Sequence, residues 1–575
     1  MANAIQLEAG AFRWHILPEL VHDDPHGSAA KLFRPDGPPL DEWQAAGHAT
    51  VIKQAAHRTV YRVVLPGLDF HLKQYRVADA RAWLRELVRP GKARLEWERT
   101  LAVAERGVPT VAPLALGEAC DGAPSACGYL ATRTLADAVP LNAFLEATLP
   151  NFPYGRRTRV RQRLAVALGE LLARMHDAGV TQHDLHPGNI LLRLEGDAPR
   201  LHLIDLYAVA LGEPLAWDAS RANLVVFNRW FMLRSERSDR LRFWHAYHRG
   251  RRHVGGAAWF SGSAVPPEHA ATVRDLERDT LASNVRFWRT LDRRCLGTNR
   301  YFRAVRHGDV AGHAVADLPP ECLRPFLDDP DEPFRREGVR VLKQSPSSAV
   351  IALDLPGPGG PRRVIYKRFA VTHWTDPLVA LVRRTPALRS YVLGHGLRLR
   401  CLPTPRPLGA WHRYCFGLPQ EGYLLTEAVP DATELHTFVR RLLAAGTRTS
   451  RVQLRALIDR LARLIDTLHC RHLSHRDLKA SNVLVSKDQL SFIDLVGVTR
   501  HRKVRRSRRI QNLARLNASS AACAGLTRTD KLRFLRVYLR WGLRGREGWK
   551  RWWRQIEQAT AEKVERNRRK GRPLA

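Results

Sequence analysis

Apolar, β-branched segments come in pairs along this chain, at 60–65 with 70–75 and again at 349–355 with 363–369. Each pair predicts two antiparallel strands. A helical stretch follows, as at 93–106, which ends at Gly107 just ahead of a proline. A longer helical region comes next, at 157–178 and at 451–470, then a polar loop flanked by short strands. The order is a small β-rich lobe followed by a larger helical lobe, and the chain carries it twice.

The duplication is legible residue by residue. Gln182-His-Asp-Leu-His-Pro-Gly-Asn189 resembles His475-Arg-Asp-Leu-Lys-Ala-Ser-Asn482, with Asp184 and Asp477 a shift of 293 apart. Lys53-Gln54 recurs as Lys343-Gln344, and Leu65-Pro66-Gly67 as Leu355-Pro356-Gly357, at a shift of 290. Lys73 recurs as Lys367 and Pro109-Thr110 as Pro403-Thr404, at 294. Asp205 matches Asp494, and Asn223-Leu224 matches Asn512-Leu513, at 289. Small steps in the shift fit loop insertions, such as the Gly-Pro-Gly-Gly-Pro stretch at 357–361. The expected division is an N-terminal extension over 1–44, a first domain over 45–325 and a second over 326–575. The acidic, proline-rich stretch at 328–333 is the linker candidate, and residues 250–330 fit either copy.

The 575 residues carry 93 Lys+Arg against 56 Asp+Glu, a net charge of +37, which attracts phosphate-rich partners without choosing among them. Part of the excess reads as solvated basic faces. With 45% hydrophobic and 26% charged residues the chain is of globular composition, which excludes collagen-like, coiled-coil and wholly disordered architectures. Eight scattered cysteines with no CxxC pair argue against a zinc ribbon and fit buried thiols of a reducing compartment. Neither a signal peptide nor a bilayer-spanning run is evident, so the expected location is cytoplasmic, with peripheral contact at the inner face of the cell membrane.

Phosphoryl transfer needs a carboxylate near the acceptor hydroxyl, oxygen ligands for Mg²⁺ and a cation on the nucleotide phosphates. Asp184, Asn189 and Asp205 supply the first two, and Asp477, Asn482 and Asp494 repeat them. A strand lysine, Lys73 or Lys367, can hold the α/β-phosphates, and Glu96, opening the predicted helix, can orient Lys73. Any one of these is ordinarily a turn, a cap or a solvated side chain. In this order, with lysine-to-aspartate separations of 111 and 110, both halves resemble protein-kinase-like phosphotransferases. That resemblance implies an α+β protein of two tandem bilobal kinase-like domains using ATP and Mg²⁺. It makes Asp184 and Asp477 catalytic, Lys73, Glu96 and Lys367 ATP-binding, and Asn189, Asp205, Asn482 and Asp494 metal ligands.

The departures are informative. No glycine-rich loop joins the first two strands: Ala55-Ala-His-Arg-Thr59 and Ser345-Pro-Ser-Ser-Ala349 stand there. No Ala-Pro-Glu segment follows either metal aspartate, and Ser390 occupies the second-copy position of Glu96. Glu96-Trp-Glu-Arg, Arg106-Gly-Val-Pro-Thr110, the His183–Asn189 loop and the later Asn-Leu together resemble the lipopolysaccharide kinases of the Kdo/WaaP type, over roughly 45–250 and 340–540. The resemblance implies phosphorylation of a sugar of a lipid A-core-type glycolipid, with ATP and that anionic acceptor as partners. Rival readings are a protein or aminoglycoside-type kinase, a pseudokinase scaffold (for the second copy above all), and a nucleic-acid binder suggested only by charge and by the basic run at 503–509. No nucleic-acid signature supports the last. At the C-terminus Trp549, Trp552, Trp553 and Ile556 share one helix face ahead of a basic tail at 566–575. Core packing against the second helical lobe is the favoured reading there, with the tail as a candidate membrane tether.

Overall fold

The protein is described here from a computed structural model. It covers residues 4–22, 27–55, 57–76, 91–120, 127–255, 269–357, 360–487, 489–520, 523, 525–542 and 548–571. Position 56 in the first strand turn, 358–359 in the expected insertion, 256–268 and the last four residues of the basic tail lie outside the described residues. Two compact units, Met1–Ser283 and Asn284–Ala575, make up the chain.

The first unit opens with β1 (Ile5–Ala9), β2 (Phe12–Ile16), β3 (Ala49–Ala55), β4 (Arg58–Leu65), β5 (Leu68–Arg76), β6 (Pro113–Ala119) and β7 (Cys127–Arg133). They form one antiparallel sheet in the order β1-β2-β6-β7-β5-β4-β3. The helical lobe adds β8 (Val139–Pro140), β9 (Val180–Gln182), β10 (Ile190–Glu195), β11 (Ala198–Leu203) and β12 (Val209–Leu211). In the second unit β13 (Phe302–His307), β14 (Val310–Val315), β15 (Arg340–Ser345), β16 (Ser348–Leu355), β17 (Arg362–Phe369), β18 (Pro407–Cys415) and β19 (Leu418–Glu427) form the same sheet, in the order β13-β14-β18-β19-β17-β16-β15. The expected strand pairs are β4–β5 and β16–β17, and the expected helices are Lys92–Glu105, Tyr154–Asp177 and Arg448–Cys470.

The long helix of each helical lobe is amphipathic. Leu164, Leu168, Leu171, Leu172 and Met175 line one face of Tyr154–Asp177, and Leu454, Leu457, Leu461, Ile465 and Leu468 line its counterpart. Truncating one of these leucines to alanine should cost about 2–5 kcal/mol. Gly169 allows close approach of the helix Arg237–Gly255, since a Cβ there would meet the Phe243 carbonyl oxygen at 2.5 Å.

Three expectations about boundaries are corrected. The N-terminal extension expected over 1–44 contributes to the first sheet in its described residues, because β2 pairs with β6 and puts Phe12, Trp14 and Ile16 into the core of that sheet. The division between units falls at 283/284 instead of 325/326, because the hairpin β13–β14 pairs with β18 just as β1–β2 pairs with β6. The acidic stretch at 328–333 is no linker. Asp331 pairs with Arg368 and Arg413 at 3.1 Å each, and the Tyr366 hydroxyl donates to the Pro330 carbonyl at 3.0 Å, so the segment is fastened to the second sheet.

The C-terminal helix Trp549–Arg569 closes the second helical lobe. Trp552 is fully buried between Tyr538 and the Arg506 guanidinium, and Trp553 and Ile556 pack on the same core. Asn517 donates to Thr560 at 3.2 Å, repeating the bond from Asn228 to Thr280 at 3.1 Å in the first unit. The helix His269–Leu291 thus begins as the closing helix of the first lobe. The basic run at 503–509 is structural in part, with Arg506 on Trp552 and Arg509 paired with Asp466 at 3.6 Å.

Candidate active site

Lys73 lies on β5 with its side chain pointing inward. Its ammonium donates to Glu96 at 2.5 Å and to Asp205 at 2.8 Å. Glu96 enters from the first turn and a half of the helix Lys92–Glu105 and also accepts from the Tyr75 hydroxyl. Arg58, at the start of β4, grips Asp205 with two parallel bonds of 3.0 and 3.1 Å. Burial opposes the charge on Lys73, but Glu96 and Asp205 outweigh it and raise its pKa above the ordinary lysine value. Burial likewise would raise Asp205, yet Lys73 and Arg58 hold its carboxyl well below the usual carboxylate range. The result is a cation held in place and an aspartate that stays ionised.

The loop carrying Asp184 follows β9 and turns through a short 3₁₀ segment, Pro187–Asn189. Asn189 donates its side-chain N–H to the Asp184 carbonyl at 2.9 Å, which leaves the amide oxygen as its available ligand atom. The backbone N–H of Ile204 donates to the Asn189 carbonyl at 3.0 Å and ties that loop to the segment bearing Asp205. Asp184 itself is exposed, with His186 at 3.6 Å. Asp205 adopts the left-handed conformation, φ 57° and ψ 54°, which few residues other than glycine, asparagine and aspartate take without strain. Asp494 repeats it at φ 54° and ψ 60°.

The second copy keeps the frame of this site and its lysine–aspartate pair but lacks the charges of Arg58 and Glu96. Lys367 meets Asp494 at 3.1 Å, and Asn482 donates to the Asp477 carbonyl at 2.8 Å. Burial would raise Asp494, but Lys367 lowers its pKa below the ordinary value. The helix Pro386–Leu399 stands where Lys92–Glu105 does, and Ser390 there bonds back to the Pro386 carbonyl at 2.8 Å. Ser348 replaces Arg58 and Phe369 replaces Tyr75, fixed by register, since Arg58 faces Tyr75 across β4–β5 and Ser348 faces Phe369 across β16–β17. Lys367 lies over the Phe369 ring instead, 4.6 Å from its centre.

Every residue expected for the first site therefore converges as two linked sets: Lys73 with Glu96 and Asp205, and Asp184 with Asn189. In the second unit Lys367 joins Asp494, and Asp477 joins Asn482, with no carboxylate from the helix. Sequence reasoning missed Arg58 and Tyr75, whose signal is their joint loss in the second copy. It also missed a buried support under each loop. His176 bonds Tyr247 at 2.9 Å and Asn223 at 3.1 Å, and Asn223 donates to the Gln182 carbonyl at 2.8 Å. His469, Tyr538 and Asn512 repeat this at 2.8 and 3.1 Å, with Asn512 accepting from the His475 N–H. The Pro-Thr motif is also explained. Pro109 accepts from the Leu203 N–H at 2.9 Å and Thr110 donates to the Leu203 carbonyl at 2.8 Å, holding the strand just before Asp205. Pro403 and Thr404 hold Phe492 the same way.

Residues 47–249 and 377–538, more than half the chain, match the model of the lipopolysaccharide kinase (Kdo/WaaP) family. The first segment includes Lys73 and Glu96, whereas the second begins after Lys367. A curated relative, the lipopolysaccharide core heptose(I) kinase WaaP of Pseudomonas aeruginosa strain PAO1, is 31% identical over 163 residues, 27% of this chain. The aligned part spans 59% of that relative's length. A solved structure of WaaP in complex with acyl carrier protein matches at 22% identity and a TM-score of 0.30, covering 42% of this chain and 91% of that one. With one matched segment in each of its two units, this chain belongs to the lipopolysaccharide kinase (Kdo/WaaP) family.

Proposed function

We propose that the first unit transfers the γ-phosphoryl group of ATP, with Mg²⁺, to a sugar hydroxyl of a lipid A-core-type glycolipid at the cytoplasmic membrane face. The observation that carries this reading is the buried Lys73–Glu96–Asp205 network beside the exposed Asp184.

The residues suit the nucleotide and the metal. Asp205 and the Asn189 amide oxygen are hard oxygen donors of the kind Mg²⁺ prefers, and Asp205 is ionised across the physiological range. Mg·ATP, when bound, supplies the phosphoryl group and neutralises part of its charge. Lys73, held by Glu96, presents an ammonium to the α/β-phosphates. Asp184 orients the acceptor hydroxyl and accepts its proton as the new O–P bond forms and the bond from the γ-phosphorus to the bridging oxygen breaks, with ADP as the leaving group. An excess of basic residues suits an acceptor that is itself anionic.

For the second unit a weakened or non-catalytic kinase domain is the reading its residues support. It keeps Lys367, Asp477, Asn482 and Asp494 and lacks the carboxylate that orients the lysine.

The test incubates wild type, Asp184→Ala and Asp477→Ala with labelled ATP, Mg²⁺ and a cell-envelope glycolipid extract. Asp184→Ala should lower transfer by about 10²–10⁴-fold, the usual cost of losing a general base, and Asp477→Ala should leave most of it. The opposite result reverses the assignment, and loss in neither points to a scaffold.

A further inference from the structure

The C-terminal tryptophans, the first candidates for a membrane contact, are largely taken up by the core of the second lobe. Exposed apolar surface is concentrated elsewhere in that unit. Between β17 and the helix Pro386–Leu399 runs a short helix, Asp376–Val382, packed on β19. Its outer side is apolar: Leu378 and Val379 are about half exposed, Leu381 is 65% and Val382 89% exposed. Trp374, just ahead of the helix, is 83% exposed, and Phe416, in the turn that leads into β19, is fully exposed. Scattered exposed apolar residues are ordinary, but an exposed tryptophan beside four exposed aliphatic residues of one short helix is not.

Charge indicates what covers this surface. Arg383 and Arg384 follow the helix directly and are exposed. The acid on the helix, Asp376, is engaged by the backbone N–H groups of Thr372 and His373 and by the Thr372 hydroxyl, at 2.9–3.0 Å. The outer side is thus an apolar and aromatic surface bordered by arginine, the chemistry that seats at the headgroup boundary of an anionic bilayer. The pattern also recurs in the duplicate: Leu84, Leu87, Val88 and Arg89 precede Leu378, Leu381, Val382 and Arg383 by 294 positions each.

We infer that the segment Trp374–Arg384, with Phe416, is a membrane-docking surface that inserts its apolar side chains among anionic phospholipid headgroups. The inference gives the proposed glycolipid kinase a place to rest beside its acceptor. It rests on that reading for its purpose only, since binding to lipid is measurable without nucleotide.

The experiment is co-sedimentation of the full chain with vesicles of phosphatidylethanolamine and phosphatidylglycerol, and with vesicles of phosphatidylcholine alone, at low and high salt. Wild type is compared with Leu381→Asn/Val382→Asn, with Arg383→Gln/Arg384→Gln and with a chain lacking 566–575. The apolar double variant should lose about tenfold or more in binding at both salt concentrations, because insertion and not only attraction is removed. The arginine variant should weaken binding to the anionic vesicles at low salt alone. Thermal melting and Mg·ATP binding of the variants should match wild type. A wild type that leaves vesicles unbound, or an apolar variant that binds as wild type does, overturns the inference. So does sedimentation showing that wild type self-associates and the apolar variant is monomeric, which would assign the surface to a second copy. If vesicle binding behaves as expected while no glycolipid is phosphorylated, the docking surface stands and the acceptor assignment fails.

Discussion

The two clefts share a strand lysine, an Asp-loop with its asparagine, and an aspartate in the left-handed conformation. They differ at three positions around the lysine: Arg58, Tyr75 and Glu96 in the first unit, Ser348, Phe369 and Ser390 in the second. The three changes form a set. A buried carboxylate is tolerable only with donors around it. Once Phe369 stands where Tyr75 would donate, a glutamate at 390 would have lost one of its two partners. Features fixed by backbone geometry have survived the duplication, whereas a charge network whose members depend on one another is present whole in one copy and dismantled in the other.

The largest effect should come from making the first cleft like the second. Glu96→Ser leaves Lys73 buried with Asp205 as its remaining carboxylate. Breaking a buried pair by removing one partner commonly costs about 3–5 kcal/mol. Transfer of labelled phosphate should fall by about 10²-fold, from a loss of about 3 kcal/mol in the transition state. If Glu96→Ser is silent, the glutamate does not distinguish the two copies. The reverse combination, Ser348→Arg with Phe369→Tyr and Ser390→Glu, should raise Mg·ATP binding by the second unit when measured in an Asp205→Asn background.

A smaller effect is expected at Arg58. Its guanidinium is bonded to both Asp205 oxygens, yet it sits at the strand turn where kinases of the usual type place a glycine-rich loop. Arg58→Ser should weaken Mg·ATP binding by about tenfold, the loss of one charge-assisted contact of about 1.5 kcal/mol. Tighter binding in the variant would mean that Arg58 competes with the metal for Asp205.

The comparison can also be sharpened where the copies agree. Burial lowers the pKa of His176 and of His469 from 6.5 to about 3. A histidine whose folded pKa is depressed contributes stability that is full above pH 6.5 and is lost as pH falls toward 3. Burial raises Asp177 and Asp466 to about 6, against the opposing pull of Arg251 and Arg509, and these act in the other sense, destabilising the fold as pH rises from about 4 to 6. The net acid loss should therefore be partial, and thermal melting across pH 7 to 4 should show it. His176→Gln and His469→Gln should each flatten the profile by a similar amount. Unequal flattening would show that the two supports are no longer equivalent.

Much of this was already legible in the chain. The repeat fixed the two-copy organisation because a duplicated motif keeps its order and spacing whatever its folded context. The lysine, loop and aspartate motifs marked the candidate site because their chemistry demands those residue types at nearly fixed separations. Strands and helices were placed within a few residues, since their apolar faces follow the local period. Tertiary structure alone decided the rest. The hairpins β1–β2 and β13–β14 carry no distinctive motif, and only their pairing with β6 and β18 shows where each unit begins. The acidic stretch at 328–333 has a linker's composition, and only the arginines across from it make it part of a sheet. Arg58 lies 147 residues from Asp205, and no local rule connects them. Trp552 and Trp374 are alike as sequence symbols, but one closes a core and the other faces solvent. Burial belongs to a residue's neighbours in space, and a linear sequence names those only where it repeats them.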